Sequence, residues 1–151
     1  MPTAVASQPA ASLLGGTATL GHPMTDPLET HDLLLRGLPA RAIDHLLSHL
    51  LVLDKTESLA LAMGMSLRTF QRRQDNLSKP LNAEQSGRTW KFAEILAQAI
   101  RVFGTQEEAE RWLDRPAMGL NGRRPIDLLA TPVGVAMVET FLTRLEHGVY
   151  T

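Results

Sequence analysis

Apolar residues recur at three- and four-residue spacing over most of the chain from Leu38 onward, and no segment shows a convincing period-two alternation. Ile43, Leu46, Leu47, Leu50 and Leu51 mark a first helix, with Pro39 suited to its opening turn. Leu59, Ala60 and Met63 mark a short second one, with Thr56 as its expected N-cap and Gly64 as its stop. Ser66 is placed to cap a third, and Pro80 closes that region. A long helix is expected over about 87–103, its apolar side formed by Trp90, Phe92, Ala93, Ile95, Leu96, Ala99, Ile100 and Phe103. Thr105-Gln106-Glu107-Glu108 has the form of a capping box, opening a helix that ends near Trp112-Leu113. A loop with Pro116, Gly119, Gly122 and Pro125 leads to a short helix at 126–129 and a last one from Thr131-Pro132 to Gly148. The pattern predicts an all-α protein.

The first part of the chain lacks this periodicity. Pro2, Pro9, Pro23, Pro27 and the Gly15-Gly16 pair read residues 1–30 as a flexible leader. Two lobes are expected after it, over 31–86 and 87–151. At 151 residues with 44% hydrophobic content, the chain can bury a real core. Cysteine is absent, which excludes disulfides and thiolate–zinc sites and fits a reducing cytoplasm. No apolar run approaches the roughly 18 residues a membrane span needs. The N-terminus has no basic region and only Leu13-Leu14 as a hydrophobic cluster, a poor secretory signal. A soluble, cytoplasmic protein with no membrane partner is expected.

Charge changes the picture through its distribution. The net charge is −1, yet residues 66–101 carry seven basic side chains against Asp75, Glu84 and Glu94. The segments on either side are acidic. The basic stretch includes Ser66-Leu67-Arg68-Thr69-Phe70-Gln71-Arg72-Arg73-Gln74.

Residues 56–77 follow the cadence of a helix-turn-helix. Ala60 is the small residue where the helices would cross, Gly64 the unrestricted turn residue, and Leu59, Met63, Met65 and Phe70 the apolar anchors. With Phe70 facing inward, a rotation of about 100° per residue sends Arg68 and Arg72 to the opposite side, flanked by Thr69 and Gln71. Guanidinium, amide and hydroxyl groups on one exposed face suit the donor and acceptor pattern of base edges. Ser66 is a candidate phosphate contact at the helix start. The expected DNA-binding set is therefore Ser66, Arg68, Thr69, Gln71, Arg72 and Arg73. Arg73 and Gln74 stand where a late apolar anchor is usual, leaving Leu77 to substitute a turn later. A solvated amphipathic helix with a basic outer face is the competing reading. A reader of this kind usually works as a two-fold dimer, so a homo-oligomer is expected.

The chain beyond residue 104 carries Trp112, Leu113, Gly122, Pro125, Leu128, Leu129, Gly134, Phe141 and Tyr150 on an acidic background. These suit either a supporting helical lobe or a protein-docking surface. Val102-Phe103-Gly104, Ala109, Trp112-Leu113, Pro116, Leu120, Gly122, Pro125, Leu128-Leu129, Thr131, Gly134 and Glu146-His147-Gly148-Val149-Tyr150 together resemble the toxin-binding domain of the Xre/MbcA/ParS antitoxins. The segment from Ser66 to Arg73 is similar to that family's helix-turn-helix, and the resemblance covers about 38–151.

It implies an N-terminal helix-turn-helix DNA-binding lobe and a C-terminal toxin-binding lobe. It further implies a type II antitoxin that inhibits a RES-domain toxin acting on NAD⁺, and that represses its own operon at operator DNA. The resemblance also implies that the chain's end lies near the toxin's active-site entrance, a region that holds Arg144, His147, Val149, Tyr150 and Thr151. A frayed tail is the alternative for those residues.

Other chemistry finds little support. No glycine-rich phosphate loop follows a strand, so no cofactor is expected. His45 and His49 have i, i+4 spacing but no obvious third ligand, so no metal is expected. No serine sits in a G-x-S-x-G setting, and no catalytic residue is assigned. Arg123-Arg124, a basic pair in a loop, reads as interface or solvent-exposed. The runner-up function is a stand-alone helix-turn-helix regulator whose second lobe dimerises or senses a ligand. An adaptor that never touches DNA is a third.

Overall fold

The structure is a computed structural model that describes residues 9–21 and 23–148. Its regular elements among these residues are helical, joined by two isolated bridges, Pro39 with Pro80 and Ala117 with Arg123. A helical turn over 9–13 precedes α1 (Gly16–Leu20), α2 (Pro27–Arg36), α3 (Ala40–Ser48), α4 (Lys55–Leu61) and α5 (Leu67–Arg73). The central α6 (Ala83–Phe103) is followed by α7 (Gln106–Leu113), a 3₁₀ turn (Met118–Leu120), α8 (Pro125–Leu128) and α9 (Pro132–Glu146).

The spine of the molecule is α6, 21 residues long and so about 30 Å from end to end. It begins in a capping box: Gln85 N–H donates to the Asn82 side chain, and the Gln85 side chain accepts from Asn82 N–H. The helix therefore starts four residues earlier than the Gly87 boundary expected from sequence. Gly87 sits inside it with open space beside its Cα. Trp90, Phe92, Ala93, Ile95, Leu96, Ala97 and Ala99 are all buried on α6, against which α2, α7 and α9 pack. Lys91 ties it to α9 by a 2.9 Å bond to Glu139, and Glu94 lies 3.1 Å from the same ammonium. One apolar cluster extends from Ala10 to Leu142, so the two lobes share a core. The expected division between residues 86 and 87 falls in the first turn of α6.

The leader reading does not hold for the described residues before 31. Ala10, Leu14, Leu20 and Met24 are buried, and α1 packs on α3. Each helical piece is too short to print a period, and tertiary burial fixes what propensity alone cannot. The boundary at residues 30 and 31 lies inside α2. That helix opens with Asp26 accepting from Leu28 and Glu29 N–H and with Pro27 at its first position.

Two further starts and stops differ. The cap of α4 is Asp54, whose carboxylate accepts from Glu57 N–H, and Thr56 lies within the helix. Helix α3 ends at Ser48, so Leu51, expected on its inner face, is exposed. The caps at Ser66, Thr105 and Thr131 stand where the sequence places them, each hydroxyl accepting from the amide three residues on.

Candidate functional site

Helices α4 and α5 form the helix-turn-helix pair. Leu59, Met63, Met65 and Phe70 are buried as its anchors. Gly64 has φ 67°, the left-handed region that glycine enters without strain. A second constraint acts on Gly64, because the Arg88 guanidinium lies where a Cβ would project. Arg88 spans the end of α4, donating to Leu61 O at 2.9 Å and Ala62 O at 3.1 Å. Ala60, expected at the helix crossing, is exposed, and the small buried positions are Ser58 and Ala62. Leu59 and Met63 face inward as expected, so only the assignment of Ala60 to that face fails.

On α5, Arg68, Gln71 and Arg72 are exposed, and their side chains have no hydrogen-bond or ion-pair partner among the described residues. Ser66 and Thr69 are partly engaged with each other. Ser66 Oγ caps the Thr69 N–H at 3.1 Å and donates to Thr69 Oγ1 at 3.0 Å. Arg73 departs from the set: half-buried, it donates to Pro80 O at 3.0 Å and fastens the loop after α5. Gln74 reaches Asp44 on α3 at 3.3 Å, and Leu77 packs against the core from beyond the helix end.

The second lobe contacts α4 directly through residues that have no motif around them. Arg124 donates to both oxygens of Glu57 on α4, at 3.1 and 3.0 Å, to Asp114 at 2.9 Å, and to both oxygens of Asp127 at 2.8 and 3.0 Å. Bonds to Asp127 and Glu57 raise its pKa above the usual arginine range, against the opposing effect of burial. Of the two sequence readings of the Arg123-Arg124 pair, interface or solvent-exposed, Arg124 fits the first, at a contact within the chain. Glu110 on α7 is fully buried. Its carboxylate accepts from the N–H groups of Leu51, Val52 and Leu53, at distances between 2.7 and 3.0 Å, and from Gln106 Nε2 at 2.7 Å. Those amides lie 57 to 59 residues away in sequence, so no local signal marks the pair.

The far end of this lobe is built around aromatic rings. Trp112 stacks between Phe103 and Phe141, with ring centroids 5.3 and 5.8 Å away. It is a half-buried packing residue and not a free anchor. Gly119 lies under the Phe141 ring, which would overlap any Cβ there, and Gly134 lies against Leu128 O in the same way. Met118, Val133 and Met137 are exposed on neighbouring elements. Arg144 and His147, one turn apart at the end of α9, are both exposed. Val149, Tyr150 and Thr151 lie outside the described residues. Glu146, next to them, accepts from Arg101 at 3.0 Å and Gln98 at 3.1 Å, and these bonds hold its carboxyl below the usual carboxylate range.

His45 and His49 stack with centroids 4.2 Å apart, and His49 Nδ1 bonds the His45 carbonyl. Among the described residues no group of three His, Cys, Asp or Glu is arranged for a metal ion, and no helix is long and apolar enough to cross a membrane.

Two family models match the chain in tandem. Residues 29–94 match the antitoxin Xre-like helix-turn-helix domain, and residues 98–148 the antitoxin Xre/MbcA/ParS C-terminal toxin-binding domain. An Antitoxin Xre of Yersinia enterocolitica is 30% identical over 121 residues, 80% of each chain. The chain belongs to the Xre antitoxin family.

An Antitoxin Xre of Photorhabdus laumondii is 29% identical over 87% of each chain. A Prs ADP-ribosylating antitoxin of Sphingobium sp. is 26% identical over 82% of each. In this chain the first matched segment ends and the second begins within α6, with three residues between them, and the packed residues 9–21 precede both. Both matched families are antitoxin families, and neither is a catalytic one.

Proposed function

We propose that this Xre antitoxin binds and inhibits a RES-domain toxin, one that consumes NAD⁺ or transfers ADP-ribose from it, and that it represses its own operon as a homodimer on operator DNA. It acts as a cytoplasmic binder with no cofactor or metal of its own. The observation that carries the reading is the pairing, in one chain, of a helix-turn-helix whose outward Arg68, Gln71 and Arg72 are uncommitted with a toxin-binding segment. The Sphingobium relative, named for ADP-ribosylation, supports the NAD⁺-linked partner.

On DNA, the Arg68 and Arg72 forks match guanine O6 and N7, and the Gln71 amide matches adenine N6 and N7. Two copies would place their recognition helices about 34 Å apart, one turn of duplex. At the other end, Arg144, His147, Val149, Tyr150 and Thr151 supply a cationic and aromatic terminus for a pocket shaped to an anionic dinucleotide. Co-expression with the neighbouring reading frame tests the reading. The expected result is a stable complex, with cellular NAD⁺ preserved and the promoter duplex retained. A chain that purifies alone and leaves NAD⁺ to be depleted is a stand-alone regulator. Deleting residues 148–151 should restore toxicity while leaving promoter binding intact.

A further inference from the structure

We infer that Arg124 of the toxin-binding segment, through its grip on Glu57, is a positioning residue for DNA binding, and that the DNA-reading unit therefore extends beyond the helix-turn-helix match. The inference rests on the operator-binding reading above and names what holds that site in place. Helix α4 is only seven residues long, below the length at which a helix persists by itself in water. It packs on α5, and the orientation of α5 toward a groove depends on it. Within the helix-turn-helix segment, Arg88 secures the C-terminal end of α4.

The other end is secured from outside that segment. The buried Glu110 carboxylate gathers the amides of 51–53, the strand of chain that delivers Asp54 to its cap position. One turn further on, the Arg124 fork grips both oxygens of Glu57 while Asp114 and Asp127 fix the guanidinium from behind. A planar, bidentate grip constrains direction as well as distance, which a single point charge does not. The body of α8 also lies against α4. The start of the first helix of the pair is thus placed by α7 and α8, and base readout by Arg68 and Arg72 inherits that placement.

The full-length antitoxin, alone and with its co-encoded toxin, serves for the test. Its promoter duplex and a scrambled duplex of equal length are the probes. Glu57→Gln and Arg124→Gln release the grip at partly exposed positions and should leave helical content unchanged at the assay temperature. Each is expected to weaken promoter binding roughly tenfold, the factor that 1.4 kcal/mol represents, and to narrow the preference over the scrambled duplex. Toxin capture should be retained. Arg124→Lys keeps the charge without the fork and should fall between wild type and Arg124→Gln.

Arg68→Ala reports on the underlying reading. If Arg68→Ala loses promoter binding while Glu57→Gln and Arg124→Gln bind as wild type, the inference is wrong and the operator reading stands. If Arg68→Ala binds as wild type, the operator reading itself fails. Loss of toxin capture in parallel with promoter binding would reduce Glu57 and Arg124 to general structural residues and overturn the inference.

Discussion

Glycines 87 and 134 both lie within helices, and their surroundings give them opposite roles. A Cβ at Gly134 would sit 1.9 Å from the Leu128 carbonyl oxygen, a backbone atom that cannot swing aside. Gly134→Ala is expected to destabilise the fold by about 1–3 kcal/mol, as overpacking does. A Cβ at Gly87 would point into open space, so Gly87→Ala should stabilise by roughly 0.5–1 kcal/mol through helix entropy. Thermal melts of the two variants should move in opposite directions, and shifts of the same sign would contradict the packing described at Leu128. Glu146 adds a pH dependence. The bond from Arg101 comes first and that from Gln98 second in holding its carboxyl below the ordinary range. Its contribution is therefore present above the unfolded-state pKa and fades as pH falls through the lower folded value. In Arg101→Ala, an NMR titration of the Glu146 carboxyl should midpoint at higher pH than in the wild type. Coincident curves would show that the Arg101 contact carries nothing in solution.

Single elements carry the next set of expectations, and they also show what a sequence makes visible. Within α5, Arg68→Ala and Arg72→Ala should each cost roughly 1–3 kcal/mol of discrimination between promoter and scrambled duplex. Arg73→Ala should lower thermal stability instead, because its side chain holds the Pro80 carbonyl. Loss of sequence preference in Arg73→Ala alone would reverse that assignment. The turn before residue 16 makes a comparable case. Leu14 is fully buried, so Leu14→Ala should cost about 2–5 kcal/mol, whereas a true flexible leader would tolerate it. Legibility tracked the range of the interactions. Caps at Ser66, Thr105 and Thr131, and the anchors Leu59, Met63, Met65 and Phe70, are local choices written in adjacent letters. Asn82 and Gln85 are equally local, a capping box that opens α6 four residues before its expected start. Leu14 and Met24 could not be read at all, since both lie outside any periodic helix and are buried only by joining the common core. The reach of Glu110 and Arg124 across to 51–53 and Glu57 could not be read for the same reason: those partners lie more than fifty residues away.

For the molecule as a whole, the charge partition between a basic 66–101 and its acidic flanks was legible from composition, and it sets one expectation about assembly. A dimer that neutralises several phosphates should lose promoter affinity steeply with salt, with a log–log slope near −0.9 for each phosphate contacted. Toxin capture by the acidic, aromatic lobe should follow a different salt curve. Measuring both on one preparation separates the surfaces, and a common slope would argue that they are one. What composition did not reveal is that the two lobes have no seam between them. Because α6 runs unbroken from the helix-turn-helix into the toxin-binding segment, the molecule lacks a joint at the place where a two-domain protein would ordinarily bend. Under the proposed function, cargo seized at the distal end would be held at a set bearing from the double helix, like a load on a welded spar, and neighbouring copies along a promoter would have to find room for one another at angles decided before any toxin arrives.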